Sequence, residues 1–211
     1  MRPPVDSTGF TAVVLAGGEN RRFGGKIKAL HELDGKPIIE RVTGVLEQIF
    51  SDILVVTNTP DHFEYLGYPM VQDHFKKVGP LGGLHAAMKS SRAESLFVVA
   101  GDMPWLSGEI IAMMINSYRE SDCEVLIPTC SGLDEPLHAI YSRALLGRLE
   151  NFLVSTRRYA IKEFLNLAKV QYLVVEDCSG SGSPFANINR PDDLQKHSRQ
   201  GQHPAGRNEL T

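Results

Sequence analysis

No apolar run in the chain is long enough to cross a membrane as a helix. The longest, such as Phe97 to Ala100 and Ile110 to Ile115, fall far short of the ~18 residues that a span requires. The opening MRPPVDSTGF lacks the apolar central stretch of a secretory signal, so the expected location is the cytoplasm. Neither sign of charge dominates: 22 Lys and Arg stand against 25 Asp and Glu, a formal net charge of -3. That balance speaks against nucleic acid or an anionic membrane surface as the main partner, and any polyanion bound should be small. Cysteine is scarce and odd in number. Cys123, Cys130 and Cys178 lack CxxC spacing, so buried or incidental thiols are expected rather than a disulfide framework or a zinc knuckle. His74 and His85 have no paired Cys or second His at ligand spacing, and read as surface or satisfied loop side chains. Two phosphate-binding fingerprints are missing as well: there is no GxxxxGK[ST] and no GxGxxG.

What is present is ordinary for a globular chain of 211 residues, 42% hydrophobic and 22% charged. The length predicts one domain, placed at residues 10–195. Residues 1–9 and 196–211 have little to bury and are expected to be loose ends. Within the domain, strand-length apolar runs alternate with helix-length stretches. Strands are expected at Phe10 to Leu15, Ile53 to Thr57, Leu96 to Ala100, Val125 to Pro128, Leu137 to Tyr141 and Val170 to Val175. Helices are expected over Pro37 to Phe50, Leu81 to Ser90, Ser107 to Tyr118, Ala144 to Phe152 and Tyr159 to Leu167, with a short one after Pro191. Continuously apolar strands need cover on both faces, so the fold class is α/β: a single-domain, Rossmann-like, mostly parallel sheet with helices on both sides.

The first strand runs into LAGGENRRFGGKIKAL, residues 15–30, which holds four glycines, two arginines and two lysines. Ligands bind at the carboxyl edge of open α/β sheets, where this loop must lie. Glycines admit a phosphate to the backbone N–H groups, and Arg22, Lys26 and Lys28 supply positive charge, so the loop is read as an anion cradle. Asp102 follows the strand Leu96 to Ala100 and should reach the same edge, where a hard carboxylate suits Mg²⁺ shared with phosphate oxygens. The alternative, that Asp102 caps the next helix, is weakened because Ser107 can do so. Gly79-Pro80-Leu81-Gly82-Gly83-Leu84 reads as a tight turn entering a helix with close backbone approach. Asn187 and Asn189 alternate, so both face one side if extended, and Asn189 before Arg190-Pro191 also suits a helix start.

Leu15-Ala16-Gly17-Gly18 with Arg22-Phe23-Gly24 and Lys28, then Gly79 to Leu84, then Gly101-Asp102-Met103-Pro104, then Asn187-Ile188-Asn189-Arg190-Pro191-Asp192-Asp193-Leu194, form an ordered set. Together they resemble the molybdenum cofactor guanylyltransferase branch of the nucleotidyltransferases that activate sugars, polyols and molybdopterin, over about residues 10–195. The resemblance implies a nucleotidyltransferase-type fold and transfer of GMP from GTP to molybdenum-molybdopterin with release of pyrophosphate. It implies Arg22, Lys28 and Asp102 as catalytic, Asp102 as the Mg²⁺ ligand, and Leu15, Ala16, Gly17, Gly18, Lys28, Asp73, Asp102 and Asn187 as nucleotide- and substrate-binding. Asp73 is the candidate that reads guanine, since a carboxylate accepts from its N1–H and exocyclic amine. Thr57 and Asn58 lie where a further nucleotide contact falls, with the register between them open. Asp134 to His138 resembles the segment facing the acceptor; the role of His138 stays open. GTP and molybdopterin are the implied small-molecule partners, with room for transient contact with molybdopterin-delivering or molybdoenzyme-maturation proteins. A cytidylyltransferase or sugar-phosphate nucleotidyltransferase is the rival within the class, and a non-catalytic nucleotide-binding regulator the rival outside it.

Overall fold

The computed structural model describes residues 5–17, 27–176, 178 and 182–188. In chain order these form β1 (Phe10–Leu15), β2 (Glu32–Leu33), β3 (Lys36–Pro37), α1 (Ile38–Leu46), β4 (Ile53–Val56), β5 (Met70–Val71), α2 (Pro80–Ser90) and β6 (Ser95–Ala100). There follow α3 (Gly108–Arg119), β7 (Val125–Cys130), β8 (Leu133–Asp134), β9 (His138–Ser142), α4 (Leu146–Ser155), α5 (Ile161–Leu165) and β10 (Val170–Val175). The sheet order is β10-β7-β9-β6-β1-β4-β5, with β8 added to β7. Every pairing within this sheet is parallel except those of β8 and β9, and β2 and β3 form a separate antiparallel pair. The α/β class with a mostly parallel sheet is therefore as expected, and the orientation of β9 is the feature that apolar periodicity could not supply.

Strand residues alternate between two helical layers, which is why both parities are apolar. Ala12, Val14, Val55, Phe97 and Val99 pack with Val42, Leu46, Ile111 and Ile115 from α1 and α3. Val13, Leu54, Val56 and Val98 pack with Leu81, Leu84, Leu149 and Phe164 from α2, α4 and α5. Local signals set the joints. Ser107 caps α3, its Oγ accepting from the Ile110 amide at 3.3 Å, which releases Asp102 from that duty. Asp34 and Gly35, both at positive φ, close the two-residue turn of the β2–β3 hairpin. Those short strands, β5 and β8 are too brief to leave a periodic signature.

Two side-chain expectations need correction. Cys130 and Cys178 are not incidental thiols but form a disulfide, while Cys123 is free. Parallel pairing of β10 with β7 sets Val175 beside Cys130, so the chain leaving β10 passes within reach; the 48-residue separation hides this in sequence. His85 is not a surface group. It is buried between α2 and α4, where Nε2 lies 3.1 Å from Glu150 Oε1 and the ring meets Phe75 edge-on.

Within the stretch expected to be loose, Arg119 donates to the Asp6 carboxylate at 2.9 Å and to the Thr8 carbonyl at 2.8 Å. The helix expected after Pro191 and the tail 196–211 lie outside the described residues. Among those described, no helix is long and apolar enough to cross a membrane.

Two glycines in helices make a paired test. A Cβ on Gly82 would stand 2.8 Å from the Phe75 carbonyl oxygen, whereas one on Gly147 would meet nothing within 4 Å. Gly82→Ala should destabilise by about 1–3 kcal/mol through overpacking. Gly147→Ala should stabilise by about 0.5–1 kcal/mol by removing chain entropy from the unfolded state. Urea unfolding of both variants checks this; equal changes would contradict the close packing of α2.

Candidate active site at the carboxyl edge of the sheet

Three strand ends meet at one level. Leu15 is in register with Ala100 of β6 and with Val56 of β4, so residues 15–17, 100–102 and 56–58 leave the sheet side by side. The Ala16 amide donates to the Val56 carbonyl at 2.9 Å, and the Gly101 amide to the Leu15 carbonyl at 3.0 Å. A Cβ on Gly101 would lie 3.2 Å from that carbonyl oxygen, so glycine there permits the approach. Above these ends opens a cavity of about 700 Å³ bordered by Leu15, Ala16, Gly17, Lys28, Asn58, Asp73, Gly83 and Asp102, among others. A volume of that size suits a nucleotide-sized ligand.

At one side of the cavity, Lys28 Nζ lies 3.4 Å from Asp102 Oδ2, and both side chains are about four-fifths withdrawn from solvent, at 22% and 20% exposure. Burial raises the Asp102 carboxyl above the ordinary carboxylate range, and the Lys28 ammonium pulls back against that rise. At another side, Asn58 holds Asp73. The Asn58 Nδ2 donates to Asp73 Oδ2 at 3.1 Å, and the Asp73 amide donates to Asn58 Oδ1 at 3.3 Å. Lys76 Nζ donates to the same Asn58 oxygen at 2.7 Å. The GPLGGL segment brings α2 close: a Cβ on Gly83 would meet Leu15 Cδ2 at 3.0 Å and Asp73 Oδ1 at 3.7 Å. Gly79, at φ +64°, makes the turn, and Pro80 opens the helix.

Of the residues predicted from sequence, Leu15, Ala16, Gly17, Lys28, Asp73 and Asp102 all border this one cavity. Gly18, Arg22 and Asn189 lie outside the described residues. Asn187 does not line the cavity and is not in a strand; it is half-buried in a loop. Its neighbour Ile188 donates its amide to the Asp102 carbonyl at 2.9 Å, which ties that loop to the site. The two residues left open at the end of β4 take different places. Thr57 is fully buried, with its hydroxyl 3.4 Å from that of Thr59, and Asn58 faces the cavity. His62 and Lys77 also border the cavity and were missed, since isolated His and Lys in loops carry no pattern.

Leu137, at the foot of β9, reaches the cavity, and its carbonyl accepts from the Ala100 amide at 2.9 Å. His138 does not reach it. Its ring is fully buried edge-on between Phe97, at 5.2 Å, and Phe185, at 4.9 Å, and burial depresses its pKa to about 3, so it stays neutral. Among the described residues no group of three or more His, Cys, Asp or Glu side chains could hold a metal ion.

This geometry has relatives. Residues 12–170 match the model of the MobA-like NTP transferase domain. The molybdenum cofactor guanylyltransferase of Desulfosudis oleivorans is 36% identical over 192 residues, covering 88% of this chain and 93% of that one. A protein of Peptoclostridium acidaminophilum named "Probable molybdenum cofactor guanylyltransferase" is 32% identical over 209 residues, 95% and 94% of the two chains. Among solved structures, the molybdopterin-guanine dinucleotide biosynthesis protein A of Archaeoglobus fulgidus superposes with a TM-score of 0.74 at 30% identity, covering 90% of this chain and 97% of that one. The chain belongs to the MobA-like NTP transferase family.

Proposed function

We propose that this chain transfers GMP from GTP to the terminal phosphate of molybdenum-molybdopterin, with release of pyrophosphate. The observation that carries the reading is the pairing, in one cavity of a MobA-like transferase, of a Lys28–Asp102 charge pair with an Asp73 carboxylate held by Asn58. The first suits a triphosphate, the second a base that presents two adjacent donors.

In the proposed step an oxygen of the acceptor phosphate attacks the α-phosphorus of GTP, and the bond from that phosphorus to the pyrophosphate oxygen breaks. The attacking oxygen is already ionised near neutral pH, so the chain needs no general base. Its work is positioning and charge neutralisation. Leu15, Ala16 and Gly17 line the nucleoside with backbone, and Asp73 accepts from guanine N1–H and the exocyclic amine. Lys28, with Arg22 and Gly18 of the glycine loop, takes the charge that accumulates on departing pyrophosphate. Asn187, carried by the loop bound to Asp102, orients the acceptor phosphate without adding charge.

Asp102 is the group that would hold Mg²⁺. The fit rests on its own situation: a carboxylate withdrawn from water, with the Lys28 ammonium at 3.4 Å, in a cavity where phosphate oxygens would complete the shell. When bound, the ion offsets the negative charge of the triphosphate. Contacts with proteins that deliver molybdopterin or receive the finished cofactor, and a cytoplasmic location, belong to the same proposal.

Pyrophosphate release from each of the four ribonucleoside triphosphates, with Mg²⁺ and molybdopterin present or absent, tests the reading. Release should require GTP and the acceptor together. GTP with Mg²⁺ at about 100 times its Kd should stabilise the fold by about 2.7 kcal/mol, and CTP by much less. Equal responses to both nucleotides would remove Asp73 as the base reader.

Asp102→Asn should behave oppositely in stability and turnover. Because burial raises the Asp102 carboxyl, the folded chain takes up this proton at higher pH than the unfolded chain does. The group therefore withdraws stability as pH rises from the ordinary carboxylate value to its raised one. The ligand-free variant should be more stable than the parent above that window, and the gap should close below it. Its turnover should fall about 10²-fold or more, as for loss of a preorganised charged group. Thermal melts across pH together with rate measurements check both signs; undiminished turnover at saturating Mg²⁺ would place the ligand elsewhere.

A further inference from the structure

The loop that carries Asn187 is held at three points, none of which the transfer reaction itself requires. The first is the disulfide of Cys178 to Cys130, at the end of β7. The second is Phe185, whose ring is buried in a small cluster with Cys130, Val175 and Cys178, against Ile110 and edge-on to His138. The third is the Ile188 amide on the Asp102 carbonyl. Among the described residues of this loop, 178 and 182–188 form neither strand nor helix. The sequence between the first two points, Ser179-Gly180-Ser181-Gly182-Ser183, offers almost nothing apolar to bury. Phe185 shares one buried cluster with both cysteines, so breaking the bond loosens the second point as well as the first.

We propose that Cys130 and Cys178 are a thiol–disulfide modification site whose state sets the affinity for the acceptor phosphate, through Phe185 and Ile188, and leaves the GTP end of the cavity unaffected. The inference rests on the reading of Asn187 as the acceptor-side residue. The nucleobase end is independent because its walls come from β1, β4, α2 and the Asp73 loop, none of which belongs to the disulfide cluster; Asp102, which the loop meets only through its main-chain carbonyl, keeps its carboxylate on Lys28. The chemistry is ordinary exchange with a dithiol. One thiolate of the dithiol attacks a sulfur of the Cys130–Cys178 bond, that bond breaks, and the other cysteine leaves as thiolate and takes up a proton. The second thiol of the reagent then displaces the first cysteine, giving two protein thiols and a cyclic disulfide on the reagent. Reoxidation passes two electrons and two protons to a small-molecule disulfide. Both sulfurs are almost fully buried, with residue exposures of 8% and 3%, so exchange requires the loop to open first. Ligand that orders the loop should therefore protect the bond.

The test compares the full chain after incubation with glutathione disulfide and after incubation with dithiothreitol. Alkylation of the denatured protein counts thiols: one, at Cys123, in the oxidised chain and all three in the reduced chain. Hydrogen exchange of the Ile188 amide reads the loop without reference to activity. Reduction should lower its protection and raise the acceptor KM by about tenfold or more, a ratio equivalent to 1.4 kcal/mol, while the Kd for GTP with Mg²⁺ is unchanged. The Cys130→Ala/Cys178→Ala double variant should match the reduced chain in both redox conditions, and it serves as a control that the parent comparison does not depend on. Three alkylated thiols after oxidation, or unchanged Ile188 protection on reduction, overturns the inference. Lost protection with an unaltered acceptor KM also overturns it, while GMP transfer stands. Absence of pyrophosphate release in either state instead removes the transfer reading on which it rests.

Discussion

The site is organised around a carboxylate kept from water without full compensation. Asp102 emerges from a central strand into a corner where its own charge is disfavoured, and Lys28, reaching across from the chain beyond β1, is the partner that makes it tolerable. Such a pair is poor as a stabilising device, since desolvating two charges offsets what their attraction supplies. In the proposed reaction the pair would serve a ligand that brings phosphate oxygens and a cation, because the two protein charges could then divide: ammonium to phosphate, carboxylate to metal.

Much of the fold exists to keep that corner dry and in register. Parallel pairing aligns β1 with β6 and β4 so that three chain segments leave the sheet together, and glycines at 83 and 101 let backbone approach where any Cβ would intrude. The antiparallel β9, inserted between β6 and β7, brings Leu137 to the cavity and buries His138 behind it. The histidine thereby becomes a packing element between two phenylalanines, and the loop bearing Phe185 and Ile188 folds back to the Asp102 carbonyl.

The sheet-and-helix rhythm was legible because both faces of each central strand are buried, which writes continuous apolar runs into the sequence. Leu15 to Gly17, Lys28 and Asp102 were legible as a glycine-rich loop and a carboxylate at one sheet edge, while Asp73, and the metal role of Asp102, were legible chiefly through the resemblance to the family. Strand direction was not: His138–Ser142 has the same apolar content either way, and only the short turn after β7 and β8 decides it. Asn58 was half-legible, because its value lies in hydrogen bonds to a residue fifteen positions away. The disulfide was invisible for the same reason at greater range, since neighbouring strands, not neighbouring sequence, bring its halves together.

The central claim is that Lys28 acts on charge that appears as pyrophosphate departs, beyond holding the resting nucleotide. Lys28→Met separates these roles. An interaction that strengthens during bond breaking contributes to rate, and one that is equal in both states contributes to binding alone. The direct measurement is the single-turnover rate of GMP transfer beside the Kd for GTP with Mg²⁺, in the parent and in Lys28→Met. The account predicts a loss in rate that clearly exceeds the loss in affinity. A large loss of GTP affinity with the maximal rate preserved would contradict it and make Lys28 an anchor for the ground state.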